Sequence, residues 1–336
     1  MENFPTSTEF SLARNEPGTD NPDGLFPPKY EKKAQPSNIW LRSIISLALY
    51  LILGYYFFQS FIILLLITVI IIFHEMGHFL AMKYFKYSDL GIFFIPLLGA
   101  YVSGTKREVS QKESAIILLA GPLPGIFLGI ILYLLYLNNP NLGVAGISFY
   151  QISFLLIILN LLNLLPVYPL DGGQLLNRVF LEEESKLSKI FVLFSVALLC
   201  WVAWKLDFYI LLIFPAMLLL RMFTDAKLNS IEKKIQAKGI NADVSYQDLP
   251  DVEYWNIRNI LIEEQSAFKH IAPGPPYEYH PKEEKIMTTI KSLLHRSLIQ
   301  DVTVAGKFFI LFIWIAAFAA PWLLQIDMSF FRRFGF

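Results

Sequence analysis

The sequence predicts an all-α polytopic membrane protein with about six to seven transmembrane helices, a re-entrant strand-like element and a small cytoplasmic segment. Three observations predict it. Hydrophobic residues fill 55% of the 336 positions, and mean hydropathy is +0.48. Charged residues make up only 17%, against about 25% in ordinary globular domains. Several apolar runs reach the ~20 residues that one helix needs to cross a bilayer. The 28 basic and 28 acidic residues cancel, so nothing favours a nucleic-acid partner. Cys200 is the single cysteine, which excludes an intrachain disulfide.

Residues 1–38 hold six prolines, mixed charges and almost no apolar periodicity, the composition of a disordered tail. The first apolar run starts too late for a secretory signal. From Ile39 to Leu80 the run is about twice the length of one span, and the polar pair Gln59-Ser60 divides it into two. A third span covers about Ser114–Leu137. A fourth runs from Phe149 to about Leu165, where Pro166 and Pro169 stop it. Leu187–Lys205 and the shorter Phe208–Met222 form a hairpin of two more. Residues 223–303 are charged and soluble in character, and a last span covers about Ala305–Ile326. Between spans two and three, residues 91–103 are apolar but broken by Gly91, Pro96 and Gly99. Such a segment survives at membrane depth only when packed on protein or lining a cavity, hence the re-entrant assignment.

Lysine and arginine set the orientation. Lys29, Lys32, Lys33 and Arg42 precede or open the first span; Lys83, Lys86, Lys106, Arg107 and Lys112 follow the second; Arg178, Lys186 and Lys189 follow the fourth. The turn at Gln59 and the 138–148 loop have none. The N-terminus and the faces carrying 83–113 and 167–186 are therefore expected in the cytoplasm. Arg332 and Arg333 would fall outside, the one violation.

The second span ends in His74-Glu75-Met76-Gly77-His78. On a helix, residues four apart share a face, so both imidazoles reach one metal ion with Glu75 beside it. A bland polar turn at the membrane interface is the weaker explanation, because ionisable groups within a span are costly and usually functional. A hydrolytic zinc site needs three protein ligands and one open position. His74 lies about 14 residues into its span, roughly 21 Å deep at 1.5 Å per residue, and the fourth span reaches Leu165 at roughly 24 Å from the same face. Just beyond stands Asp171, the one carboxylate at that depth, followed by Gly172-Gly173. Its alternative role is a simple helix N-cap.

His74–His78 together with Asn160-Leu-Leu-Asn163-Leu-Leu-Pro166-Val-Tyr-Pro169-Leu-Asp171-Gly-Gly resembles the site-2 protease family of intramembrane zinc metalloproteases, peptidase family M50. The Pro-x-x-Pro-Leu-Asp-Gly-Gly spacing is similar to its sporulation-type and archaeal branch, and Ala120-Gly121-Pro122 extends the resemblance over roughly residues 60–180. The resemblance implies one Zn2+ per chain held by His74, His78 and Asp171, with Glu75 as general base. Asn163 is implied to hold substrate backbone or the oxyanion. It also implies regulated intramembrane proteolysis of membrane-protein substrates with a transmembrane segment, in a multi-pass protein of the bacterial inner membrane whose active site faces the cytoplasm. The organisation expected is a 1–38 tail, a 39–222 metalloprotease core, a 223–303 cytoplasmic segment and a 304–336 C-terminal helix and tail. The sequence leaves oligomeric state open.

Two departures stand out. Many relatives carry Asn where this chain has Gly125, and neither a PDZ domain nor a paired CBS module has a counterpart here. Asn160 is expected either to bond a neighbouring helix or to face the cavity. His270, His280 and His295 lack ligand spacing, Glu182-Glu183-Glu184 reads as a solvated face, and Lys205 and Arg221 sit at span ends, where long basic side chains snorkel. The rivals are a non-catalytic zinc-binding scaffold or metal transporter, and a gluzincin-type membrane protease. Transport predicts ionisable residues along spans three, five and six, which are nearly bare. The gluzincin reading wants a membrane-embedded Glu after His78, and there is none.

Overall fold

The computed structural model describes residues 26–31, 38–96, 99–106, 108–181, 185–242, 244–294 and 298–326. Arg107, Glu182–Glu184, His295, Arg332 and Arg333, on which expectations were stated, lie outside the described residues, as do Lys32 and Lys33. The chain divides into two compact units. One takes in Pro36–Phe223 and Ser297–Phe336, the other Met1–Gln35 and Thr224–Arg296.

The larger unit opens with α1 (Ile39–Phe58) and α2 (Phe61–Tyr84). The polar pair that divides the apolar run does so by capping both helices. Gln59 adopts a left-handed φ of 52° and closes α1, while the Ser60 side chain accepts from Ile63 N–H at the start of α2. The broken apolar segment is an antiparallel hairpin, β1 (Ser88–Ile95) and β2 (Gly99–Thr105), paired through Ile92 with Val102 and Phe93 with Tyr101. It packs on α1, where the Phe94 N–H donates to Ser46 Oγ at 3.1 Å.

The third apolar stretch is two helices, α3 (Gln111–Ala120) and α4 (Pro122–Asn138), joined at Gly121. Proline at the first position of α4 costs nothing locally, since that N–H has no helical partner. A short ribbon, β3 (Gly143–Val144) and β4 (Ile147–Ser148), leads into α5 (Phe149–Asn163), which a Ser148/Gln151 capping box starts. Then come α6 (Asp171–Leu175), continued by a π turn over Leu176–Phe180, α7 (Lys186–Lys205) and α8 (Ile213–Ala237). With its leading turn, the second arm of the last hairpin runs over Tyr209–Ala237, well past the expected Met222. Helical propensity continues through Asp225–Gln236 although hydrophobicity does not, so periodicity of apolar residues ends before the helix does.

The smaller unit contains α9 (Asp251–Glu264) and α10 (Glu283–Leu293), packed with the last turns of α8 around Leu228, Ile231, Ile235, Ile257, Leu261, Ile286 and Ile290. A buried Arg258–Glu283 ion pair crosses this core. Residues 26–31, expected within a disordered tail, lie ordered in this unit. Their partners are more than 200 positions away, which local composition does not reveal.

The chain returns to the larger unit with α11 (Val304–Leu323). Just before it, Ile299 pairs with the residues entering α3: Gln111 N–H donates to Ile299 O at 2.9 Å and Ile299 N–H to Val109 O at 3.0 Å. Among the described residues, six helical segments are long and apolar enough to cross a membrane, and α5 is a shorter apolar helix. Their outward faces are lined with exposed Ile, Leu, Phe and Trp, the surface a lipid solvent requires. The fold is that of an all-α polytopic membrane protein with small sheets only.

Candidate metal centre

His74 and His78 lie one helical turn apart on α2, both buried, beside Asp171 at the start of α6. One ligand atom from each of the three lies within 4.8 Å of the others, and this is the only such cluster among the described residues. The two Nε2 atoms are 3.1 Å apart, and Asp171 Oδ2 is 3.1 Å from His74 Nε2 and 3.3 Å from His78 Nε2.

The other ring nitrogens fix the tautomers. Asn160 donates from Nδ2 to Leu156 O at 2.7 Å, which turns its Oδ1 toward His74 Nδ1, also at 2.7 Å. An amide oxygen only accepts, so His74 carries its proton on Nδ1. The His78 Nδ1–H likewise donates to the Ile117 carbonyl at 2.7 Å. Each Nε2 therefore points a lone pair inward, and Asp171 Oδ2 is buried without a hydrogen-bond donor. Three converging acceptors repel one another unless a cation sits among them, so these residues fit a metal ion. Two imidazoles and one carboxylate suit zinc and leave an open fourth position.

Close backbone approach builds this site. A Cβ on Gly77 would fall 1.9 Å from Ala120 O, and one on Gly121 would fall 2.3 Å from His78 Nε2. Glycine at both positions lets α2 and the α3–α4 junction meet without side chains between them. Gly172 and Gly173 do the same for the turn carrying Asp171, where added Cβ atoms would strike Leu164 O at 1.9 Å and Val167 C at 2.3 Å. Asp171 is not the N-cap of α6; that position is Leu170, and no side chain caps the helix.

Glu75 is buried beside the cluster, on the same helix as both histidines. A cleft of about 160 Å3 opens onto His74 and Glu75, bounded by Gly99 and Ala100 of β2 and by Asn160 and Asn163 of α5. The Asn163 side chain lines it while donating to Leu159 O at 3.2 Å. His270 and His280 belong to the other unit and join no ligand group among the described residues; His280 Nδ1 accepts from Lys282 N–H.

Sequence reasoning did not find what holds the Asp171 loop. Trp314 Nε1 of α11 donates to Leu164 O at 2.8 Å, Tyr168 N–H donates to Ser195 Oγ at 3.1 Å, and Arg221 Nη1 donates to Tyr168 Oη at 2.8 Å. Arg221, read as snorkelling, thus braces the loop three residues before Asp171. The one available signal was polarity: Ser195 and Arg221 interrupt otherwise apolar stretches of α7 and α8.

Two histidines buried on a helix long and apolar enough to cross a membrane, with Asp171 and Glu75 alongside, define a candidate metal centre within a membrane protein. The profile of peptidase family M50 matches residues 61–146, a stretch that holds both histidines and Glu75. Stage IV sporulation protein FB of Bacillus subtilis is 28% identical over 141 residues, which is 39% of this chain and 46% of that protein. A zinc metalloprotease of Methanocaldococcus jannaschii is 28% identical over 109 residues, covering 32% of this chain and 31% of the relative. The chain thus spans less than half the length of these curated relatives. The solved site-2 protease from Methanocaldococcus jannaschii aligns at 22% identity with a TM-score of 0.39, over 53% of this chain and 84% of that one.

Proposed function

We propose that this protein is an intramembrane zinc metalloprotease that hydrolyses peptide bonds in or near transmembrane segments of membrane-protein substrates. One observation carries the reading: two imidazole lone pairs and an undonated carboxylate oxygen converge at 3.1–3.3 Å, beside a cleft that His74 and Glu75 line. We assign one Zn2+ per chain to His74, His78 and Asp171. The ion would supply Lewis acidity toward a carbonyl and lower the pKa of a water toward ~7.

The chain's own groups do the rest. Glu75 accepts the proton of the attacking water and returns it to the leaving amine. Its carboxylate stands on α2 with His74 and His78, so one helix places the base beside two of the three groups that would hold the ion. Asn163 presents an amide at the cleft, suited to donate to the developing oxyanion or to substrate backbone. A substrate helix hides its carbonyls in its own hydrogen bonds and must unwind first. Gly99 and Ala100 bring main chain to the cleft wall, where an extended substrate segment can pair by strand addition. Asp171 and the two histidines would hold the ion, which leaves Glu75 as the base.

The arrangement of basic residues supports a cytoplasmic N-terminus and a cytoplasmic route of water to the site, in a bacterial inner membrane. We further assign 39–222 as the protease core, 223–303 as a cytoplasmic segment that sorts substrates, and 304–336 as a closing helix and tail. Purified protein, zinc-loaded in detergent micelles, tests the reading with a single-span model substrate. Discrete products that disappear on chelation and return with zinc support it. A stoichiometrically zinc-loaded, folded protein that cuts no membrane-protein substrate in a panel would turn the assignment to a zinc-binding scaffold.

A further inference from the structure

The smaller unit holds a groove that zinc chemistry does not use. Its floor is aromatic. Tyr254 and Trp255 of α9 are fully buried, Tyr246 is nearly so, and the Tyr277 and Tyr279 rings lie 5.1 and 5.8 Å from that of Trp255. The floor is set from beneath, where Tyr254 Oη donates to Glu283 Oε1 at 2.7 Å and Glu283 pairs with buried Arg258.

Phe26-Pro27-Pro28-Lys29-Tyr30 occupies this groove, without regular secondary structure. Three aromatic donors take its carbonyls in turn: Trp255 Nε1 donates to Pro27 O at 2.7 Å, Tyr279 Oη to Pro28 O, and Tyr246 Oη to Tyr30 O. Lys29 is read from both ends. Its N–H donates to Asp251 Oδ1 at 2.8 Å, and its ammonium donates to Gln247 O and Leu249 O at 2.5 and 2.8 Å. Phe26 stacks on Tyr277 at 4.7 Å, and Tyr30 meets Tyr279 edge-on at 5.7 Å.

This is the chemistry by which proteins bind proline-rich peptides. Consecutive prolines have no N–H to offer a sheet or helix, and their fixed φ prepays the entropy of an extended backbone. What such a segment presents is a row of carbonyls and flat pyrrolidine faces, which aromatic side chains bearing one N–H or O–H match. The unit's main apolar core lies among α8, α9 and α10, whereas the strap contributes only Phe26 and Tyr30 at its margin.

We propose that the smaller unit is a recognition module for proline-rich segments of the pattern aromatic-Pro-Pro-Lys-Tyr, and that its resident ligand is the chain's own residues 26–30, bound in cis. A segment of like chemistry on another protein would have to compete with this tethered one. The inference does not depend on the protease assignment, and its test reads binding alone.

The probe is a fluorescein-labelled synthetic peptide carrying residues 24–33, titrated by anisotropy against the full chain in detergent. In Phe26→Ala/Lys29→Glu/Tyr30→Ala, whose changes lie only in the strap, the peptide should bind saturably. In the unaltered chain it should bind about tenfold more weakly or worse, because the tethered copy competes at an effective concentration on the order of millimolar. A peptide with Lys29→Glu should not bind. A strap variant with unchanged circular dichroism and no binding at millimolar peptide would overturn the proposal, as would equal affinity for the variant and the unaltered chain. Trypsin gives a second reading without the strap variant. Cleavage after Lys29 should be about tenfold faster in Asp251→Ala/Tyr279→Phe than in the unaltered chain, since undocking frees the bond for the protease. Equal rates would show that the groove does not hold the strap.

Discussion

The Asn160 side chain stands in the space that a side chain at position 125 would need: a Cβ on Gly125 would fall 2.2 Å from Asn160 Nδ2. Asn160 Oδ1 in turn lies 2.7 Å from His74 Nδ1. The family resemblance implies a polar group at position 125, and here α5 delivers an amide of its own into that space. Gly125 is the vacancy that makes room for it.

Two substitutions should then converge on one defect. Asn160→Ala removes the acceptor that orients His74, and such losses typically weaken metal binding by about 10–100-fold. Gly125→Ala should displace the same amide and lower zinc affinity in the same direction. The double variant should cost little more than either single one, because both act through one hydrogen bond. Competition with a fluorescent zinc chelator measures all three; additive losses would separate the two residues.

Glu75→Gln should retain zinc and fold while losing proteolysis. It removes a proton acceptor and no ligand, and loss of a general base costs about 100-fold or more. Metal analysis of the purified variant, alongside cleavage of the model substrate, separates the two properties. Zinc lost together with activity would make Glu75 structural.

Asp171→Ala should lower zinc occupancy, since it takes away the one anionic oxygen among the three converging atoms. Asp171→Asn keeps an oxygen of weaker donor strength and should bind partially. Full zinc stoichiometry with undiminished cleavage in Asp171→Ala would remove it from the ligand set. A readout at defined free zinc is essential, because excess metal masks a weakened site.

How much of this was legible in the sequence depends on which side chains were exceptional in their surroundings. His74, Glu75, His78 and Asp171 are ionisable groups in apolar stretches, and helical spacing plus depth put them together before any coordinates did. The hairpin of β1 and β2 was legible as strand-like because Gly91, Pro96 and Gly99 deny it a helix. Asn160 was legible only in part: the sequence offered a neighbouring helix or the cavity, but it did not name His74 as the partner, and the space left by Gly125 is a three-dimensional fact. The strap was hidden for the opposite reason. Its composition is that of disorder, and only distant aromatic donors make it a ligand.

The smaller unit offers the sharpest stability prediction. Glu283 accepts from Arg258 Nε at 2.7 Å and Nη2 at 3.0 Å and from Tyr254 Oη at 2.7 Å, and both partners are almost wholly buried. Glu283→Ala would leave a guanidinium and a phenol without their acceptor in an apolar core, at a cost of about 3–5 kcal/mol. Charge-neutral Arg258→Met/Glu283→Leu should be far milder, because no buried charge is stranded. The carboxylate also raises the Tyr254 hydroxyl well above the ordinary tyrosine range, behind burial as the main cause. A phenol raised in the folded state contributes stability that is complete below its unfolded pKa of about 10 and is lost as pH climbs beyond it. Burial likewise pushes Tyr279 up to about 12, with Asp251, Glu283 and Glu31 adding to it. Strap docking should therefore persist at pH 9 and fail between about pH 10 and 12, in step with tyrosinate absorbance at high pH. Thermal melting of the full chain across that range, followed by tryptic cleavage after Lys29, measures both effects; a strap released by pH 9 would mean that the tyrosine hydroxyls are not what holds it.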